Sequence, residues 1–161
     1  MASVPSSLWR RCLIQWLLPL GCAGPVAAVA GVASADPACT AVAVASPADR
    51  YKREVACHLH SRNTVHLYQD RPPPMLRSVV VLSMRIDERG RPLRVSVLRS
   101  NGIRALERRA MQSVRDASPL PAPQRSLVRN GRIELIETWL FRDDGRFQIR
   151  TLAQAQADSG Q

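Results

Sequence analysis

Residues 78–87, SVVVLSMRID, decide the fold. Val80, Leu82, Met84 and Ile86 fall on one side of an extended chain, while Ser83, Arg85 and Asp87 fall on the other. That period of two is the pattern of a strand with one buried face. Asp87-Glu88-Arg89-Gly90 follows, acid first and glycine last, as a type I turn with a left-handed exit prefers. Leu93, Val95 and Val97 then alternate with Arg94 and Ser96, so the first strand turns back on itself as a hairpin. Outward from it, Ser100-Asn101-Gly102 breaks the strand. Ile103, Leu106, Ala110, Val114 and Ala117 recur at spacings of three and four, the stripe of an amphipathic helix. Arg104, Glu107, Arg108 and Arg115 stay off that stripe. Pro119, Pro121 and Pro123 end the helix. Ile133–Phe141 is β-prone through Ile, Thr, Trp and Phe. Arg142-Asp143-Asp144-Gly145-Arg146 repeats the turn chemistry, and Phe147–Leu152 reads as a fourth strand. The order ββαββ predicts a two-layer α+β domain, an antiparallel sheet of three to four strands with one helix on one face.

Upstream, Arg71-Pro72-Pro73-Pro74 marks the entry to this domain, which spans 72–153 and leaves 154–161 as a disordered tail. Residues 36–71 read as a tether. Within it, Ser46 before Pro47 is a helix start signal, so Pro47–Leu59 is expected as a short helix and Thr64–Tyr68 as a short extended segment. Arg10-Arg11 precedes a charge-free run from Cys12 to Ala35 that closes on Ala33-Ser34-Ala35. Basic flank, apolar stretch and small residues at the exit are the parts of a secretory signal peptide, with cleavage after Ala35. Three alternatives stay open: an uncleaved inner-membrane anchor, a lipoprotein signal acylated at Cys22, and a twin-arginine signal. Each places the remaining chain outside the cytoplasm, in the periplasm. The chain has a formal charge of +10, and Lys52 is its only lysine. The 23 basic residues less Arg10 and Arg11 leave 21 against 13 acids after cleavage. Export makes nucleic acid a poor partner for that charge and leaves an anionic envelope polymer as the electrostatic alternative. Arg89, Arg91, Arg94 and Arg99, around the first hairpin, form a candidate anion patch.

Cleavage would leave two cysteines, Cys39 and Cys57. In an oxidising compartment an even pair predicts a disulfide stapling the N-terminal segment. Cys57, His58, His60 and His66 make the one cluster resembling a metal site, but a structural site needs four donors at workable spacing and no second pair appears, so no metal or cofactor is assigned. From Ser78 onward there is no histidine. A serine nucleophile there would lack its base, and the carboxylates Asp87, Glu88, Asp143 and Asp144 sit in wet turns. The expectation is a protein that is not an enzyme.

Val79-Val80-Val81, Ile86-Asp87, Gly90-Arg91, Val95 and Val97 together resemble the C-terminal domain of the TonB family and, more distantly, that of TolA. Arg99-Ser100-x-Gly102, Leu106, Ala110, Val114, Ala117-Ser118-Pro119-Leu120-Pro121-x-Pro123 and Trp139-Leu140-Phe141 complete the pattern over roughly half the chain. The resemblance implies a periplasmic module that binds protein partners, including TonB-dependent outer-membrane receptors. It does so by pairing a partner's extended segment with a free sheet edge. By matching position that edge is Ile133, Leu135, Glu137, Trp139 and Phe141. Two features depart from an energy-transducing TonB. Residues 12–35 contain no histidine, and residues 36–71 are short and poor in proline. The Asp143-Asp144-Gly145 turn would also lay Phe147–Leu152 beside the strand that a partner should join, leaving that edge self-occupied.

Overall fold

In a computed structural model of the protein the described residues are Cys39 and 46–155. The chain divides into two units, 1–33 and 34–161, and everything described belongs to the second. The signal, anchor and Cys22 readings, most of the segment before Ser46, and the end of the tail lie outside the described residues.

Four antiparallel strands form one sheet in the order β2-β1-β3-β4: β1 Ser78–Asp87, β2 Pro92–Arg99, β3 Arg132–Phe141 and β4 Phe147–Ile149. The alternation read in β1 decides which way the sheet faces. Val80, Leu82, Met84 and Ile86 are fully buried. Through the register Val80↔Trp139, Leu82↔Glu137, Met84↔Leu135 and Ile86↔Ile133, they carry the odd-numbered residues of β3 to the same face. Helix α2, Arg104–Asp116, lays Leu106, Ala110, Ser113 and Val114 on that face, over β1 and β2.

A second helix shares the layer. Helix α1, Pro47–Arg62, begins at Ser46, whose hydroxyl accepts from the Asp49 N–H. It extends the expected helix by one turn. The sequence reading placed it in a tether; here Tyr51, Val55, Ala56 and Leu59 enter the same core as β1 and β3. Helix α1 packs over β3 and β4. Its apolar residues at spacings of four give it a buried stripe, and the sheet is wide enough to need both helices. Three polar contacts fix it. The Tyr51 hydroxyl donates to the Pro121 carbonyl at 3.1 Å. The Asn63 amide donates to the Leu59 and Ser113 carbonyls at 2.8 and 3.1 Å. The His58 ring N–H donates to the Ala117 carbonyl at 2.8 Å. A disulfide joins Cys39 to Cys57 in the middle of α1, with Cα atoms 5.6 Å apart.

Two local readings change. Thr64–His66 is a single 3-10 turn rather than an extended segment, and Leu67 after it bridges to Phe147. Strand β4 stops at Ile149 instead of Leu152, because the Leu152 and Ala153 N–H groups turn back to the Ile149 carbonyl.

Candidate partner-binding site

In an antiparallel strand each residue's N–H and C=O point to the same side, and successive residues alternate. On β3 the Thr138 carbonyl accepts from the Arg150 N–H at 2.9 Å, away from β1, and the Arg142 N–H donates to the Arg146 carbonyl on that same side. Even-numbered residues of β3 therefore address β4, and odd-numbered ones address β1. Strand β4 reaches only from Phe141 back to Trp139, and the Arg150 rung at Thr138 is the last. At the other end Arg132 exchanges both backbone bonds with Arg129. Between these closures, the N–H and C=O groups of Glu134 and Ile136 have no backbone partner among the described residues.

The covered half of the edge is covered twice. The Tyr68 N–H donates to the Phe147 carbonyl at 3.3 Å. The Gln148 amide donates to the Tyr68 and Asp70 carbonyls at 2.8 and 2.7 Å. The Arg142 guanidinium stands 5.1 Å from the Tyr68 ring centre. Burial pushes the Tyr68 hydroxyl up to about 12, so it stays neutral beneath that arginine. The β3–β4 turn is held by its own chemistry. Asp144 accepts from the Arg146 N–H at 2.9 Å, a bond that leads in holding its carboxyl below the usual range. Arg109 donates to the Gly145 carbonyl and Arg77 to the Asp143 carbonyl, at 2.9 and 2.7 Å.

Glu137 marks the boundary between the open and covered halves. Its carboxylate accepts from the Thr138 N–H at 2.8 Å and from the Thr151 hydroxyl. That pair of bonds pins the turn after β4 beside the last rung. Burial raises this carboxyl above the ordinary glutamate range, against the lowering effect of those bonds and of Lys52.

The five residues expected on the partner-binding edge lie on β3 with their side chains turned inward. Leu135, Glu137, Trp139 and Phe141 are buried on the helix-covered face, and Ile133 is packed partly against the core. Strand β3 runs along an edge that is open at Glu134 and Ile136 among the described residues, and its odd-numbered side chains lie on the covered face. Trp139 and Phe141 are large and apolar, so they turn inward, and the two-residue period takes Ile133, Leu135 and Glu137 with them. Outward stand Glu134, which accepts from the Ser83 hydroxyl at 2.7 Å, Ile136, 46 % exposed, and Thr138. The sequence carried that signal in the aromatic pair itself.

The candidate anion patch does not converge. Arg89, Arg91, Arg94 and Arg99 are all exposed, but Arg91 and Arg99 sit at opposite ends of β2, about 25 Å apart at strand spacing. Arg91 is also paired with Asp87 at 2.7 Å. Asp87 accepts from the Arg91 and Arg89 N–H groups as well, and these bonds, that of Arg91 first, hold its carboxyl below the usual range. The outer edge of β2 differs from that of β3. It starts at a proline, carries Arg94 and Arg99, and its pairing with β1 is irregular near both ends, features that blunt an edge. The β1–β3 register runs without a shift from Ser78 to Asp87.

Residues 76–139 match the family described as Gram-negative bacterial TonB protein C-terminal. No curated protein matches the chain. A solved structure described as the structure of HasB CTD is 22 % identical, covers 78 % of this chain and 88 % of its own, and superposes with a TM-score of 0.40.

Proposed function

From a chain that carries a TonB C-terminal domain over residues 76–139, we propose a periplasmic binding module that acts without catalysis. It recognises an extended segment of a TonB-dependent outer-membrane receptor by strand addition at β3 and transmits no force of its own. The observation that carries the reading is the pair of backbone rungs at Glu134 and Ile136, unpartnered among the described residues, in a regular strand, whereas the opposite edge of the sheet at β2 is blunted. Main-chain bonds to those rungs supply affinity, and Ile136 with Thr138 supplies side-chain selection on the open face.

Shortening the chain at Arg142 is a poor test, because it removes Phe147 and Ile149 from the core. Ile136→Pro is better. Its lost N–H faces the open edge, where proline is tolerated, so the β1 ladder stays whole. Binding of a synthetic peptide from a receptor's periplasmic N-terminal segment should fall at least tenfold in this variant, with the circular dichroism spectrum kept. Unchanged binding by a folded Ile136→Pro protein refutes strand addition at this edge.

The uncharged run 12–35 supports a second reading, an inner-membrane-anchored transducer. No described helix is long and apolar enough to cross a membrane. An intact mass lacking residues 1–35 would exclude the anchored form.

A further inference from the structure

Helix α2 carries a second surface, opposite its core stripe. At 100° per residue, Arg104, Arg108 and Arg115 fall within about 40° of one another, along a ridge of about 16 Å. All three are exposed, and none has an ion pair among the described residues. Arg115 is steadied by Gln112, its Nε and Nη2 donating to the amide oxygen at 3.0 and 2.8 Å. Of the helix's two acids, Glu107 accepts from the Ser100 hydroxyl, and Asp116, beside Arg115, accepts from the Gln112 amide at 2.6 Å. An open groove of about 380 Å³ flanks Arg108 and Arg115, lined also by Arg109, Asn63, His66 and Asp116. The residue before His66 is Val65, 80 % exposed in its 3-10 turn.

We propose that this face docks on an anionic lipid bilayer, with the three arginines on the phosphate headgroups and Val65 entering the interface. Three features favour a bilayer over a folded acidic partner. The cations form a straight ridge on one helix. The groove beside them is shallow and open. The apolar residue preceding His66 in the chain protrudes singly instead of forming a pocket. Arginines near an anionic membrane each strengthen binding roughly fivefold, so the ridge is worth on the order of a hundredfold, and salt screens it. The site is separate from the open rungs of β3.

The test uses the chain from Ser34 onward, a unit whose described core is closed within itself, with vesicles of phosphatidylcholine alone or with 30 mol % phosphatidylglycerol added (about one lipid in three). Binding is expected to the anionic vesicles only, to weaken steeply with salt, and to fall on the order of a hundredfold in R104Q/R108Q/R115Q. Val65→Asn should weaken vesicle binding severalfold and leave the salt dependence unchanged. R89Q/R94Q/R99Q, which removes equal charge from the first hairpin, should lose far less. The proposal fails if the two triple variants lose equally, if neutral vesicles bind as well, or if dextran sulfate binds as tightly as the vesicles with Val65→Asn without effect on either. Unaltered melting of every variant keeps these outcomes interpretable.

Discussion

Gly90 and Leu120 meet backbone to backbone. The Leu120 N–H donates to the Gly90 carbonyl at 2.9 Å, and a Cβ on Gly90 would overlap the Leu120 carbonyl oxygen. Gly90 also has φ +80°. The first hairpin is thereby pressed against the loop that ends α2, so one residue serves both the turn and the closure of the helix layer.

Replacing Gly90 with Ala should cost about 1–2 kcal/mol for the left-handed backbone alone, and more for the displaced loop. Gly102 has φ +83° but open space around its would-be Cβ. Gly102→Ala should show the backbone cost only. Urea denaturation of both variants measures the difference; equal losses would remove the close approach from the account.

The Trp139 indole N–H donates to the Ser113 hydroxyl at 3.0 Å, and that hydroxyl donates to the Ala110 carbonyl at 2.8 Å. Ser113→Ala leaves the indole N–H buried without a partner, at a cost of about 1–3 kcal/mol. Chemical denaturation should show that loss, with near-ultraviolet tryptophan signals changed. Ser96→Ala on the other face should be close to neutral.

Glu137 gives a pH dependence of known sign. Its folded carboxyl is raised by burial, so its contribution is complete below the unfolded value of about 4.3 and is lost as pH rises through the folded value. Asp87 and Asp144 are lowered, so their contributions are lost only as pH falls below about 4. Glu137→Gln should therefore gain on the wild type as pH rises from 4 to 7. Melting curves across that range check it, and parallel profiles would contradict it.

The disulfide closes a separation of 18 residues, worth about 3 kcal/mol in the chain-entropy picture. Cys39→Ser, Cys57→Ser and the double variant should lose similar amounts, since either change opens the same loop. Thermal melting with and without reductant measures it, and reductant should affect only the wild type.

Legibility in the sequence followed residue size and period. Strand β1 could be read to its ends because four apolar residues alternate without interruption, and α2 because its stripe is bounded by Gly102 and the prolines. Helix α1 was visible through Ser46 and Pro47, but its burial was not. Tyr51, Val55 and Leu59 recur at spacings of four, yet a polar Ala/Arg-rich setting hid how much sheet they had to cover. Thr64 and Val65 suggested a strand by β-branching, and the Asn63 amide outweighed that preference by anchoring the preceding helix end to Leu59 and Ser113. At the site, the strand was legible and its facing was not assigned, because family position names a segment while the two-residue period decides which side chains face outward.

Amide hydrogen exchange on β3, residue by residue, tests the central claim most directly. The Glu134 and Ile136 amides should exchange quickly in the free protein, while Leu140, paired with Gln148 in β4, exchanges slowly; a bound receptor peptide should protect the first two. Slow exchange at Glu134 and Ile136 without peptide, or peptide protection confined to β2, would contradict it.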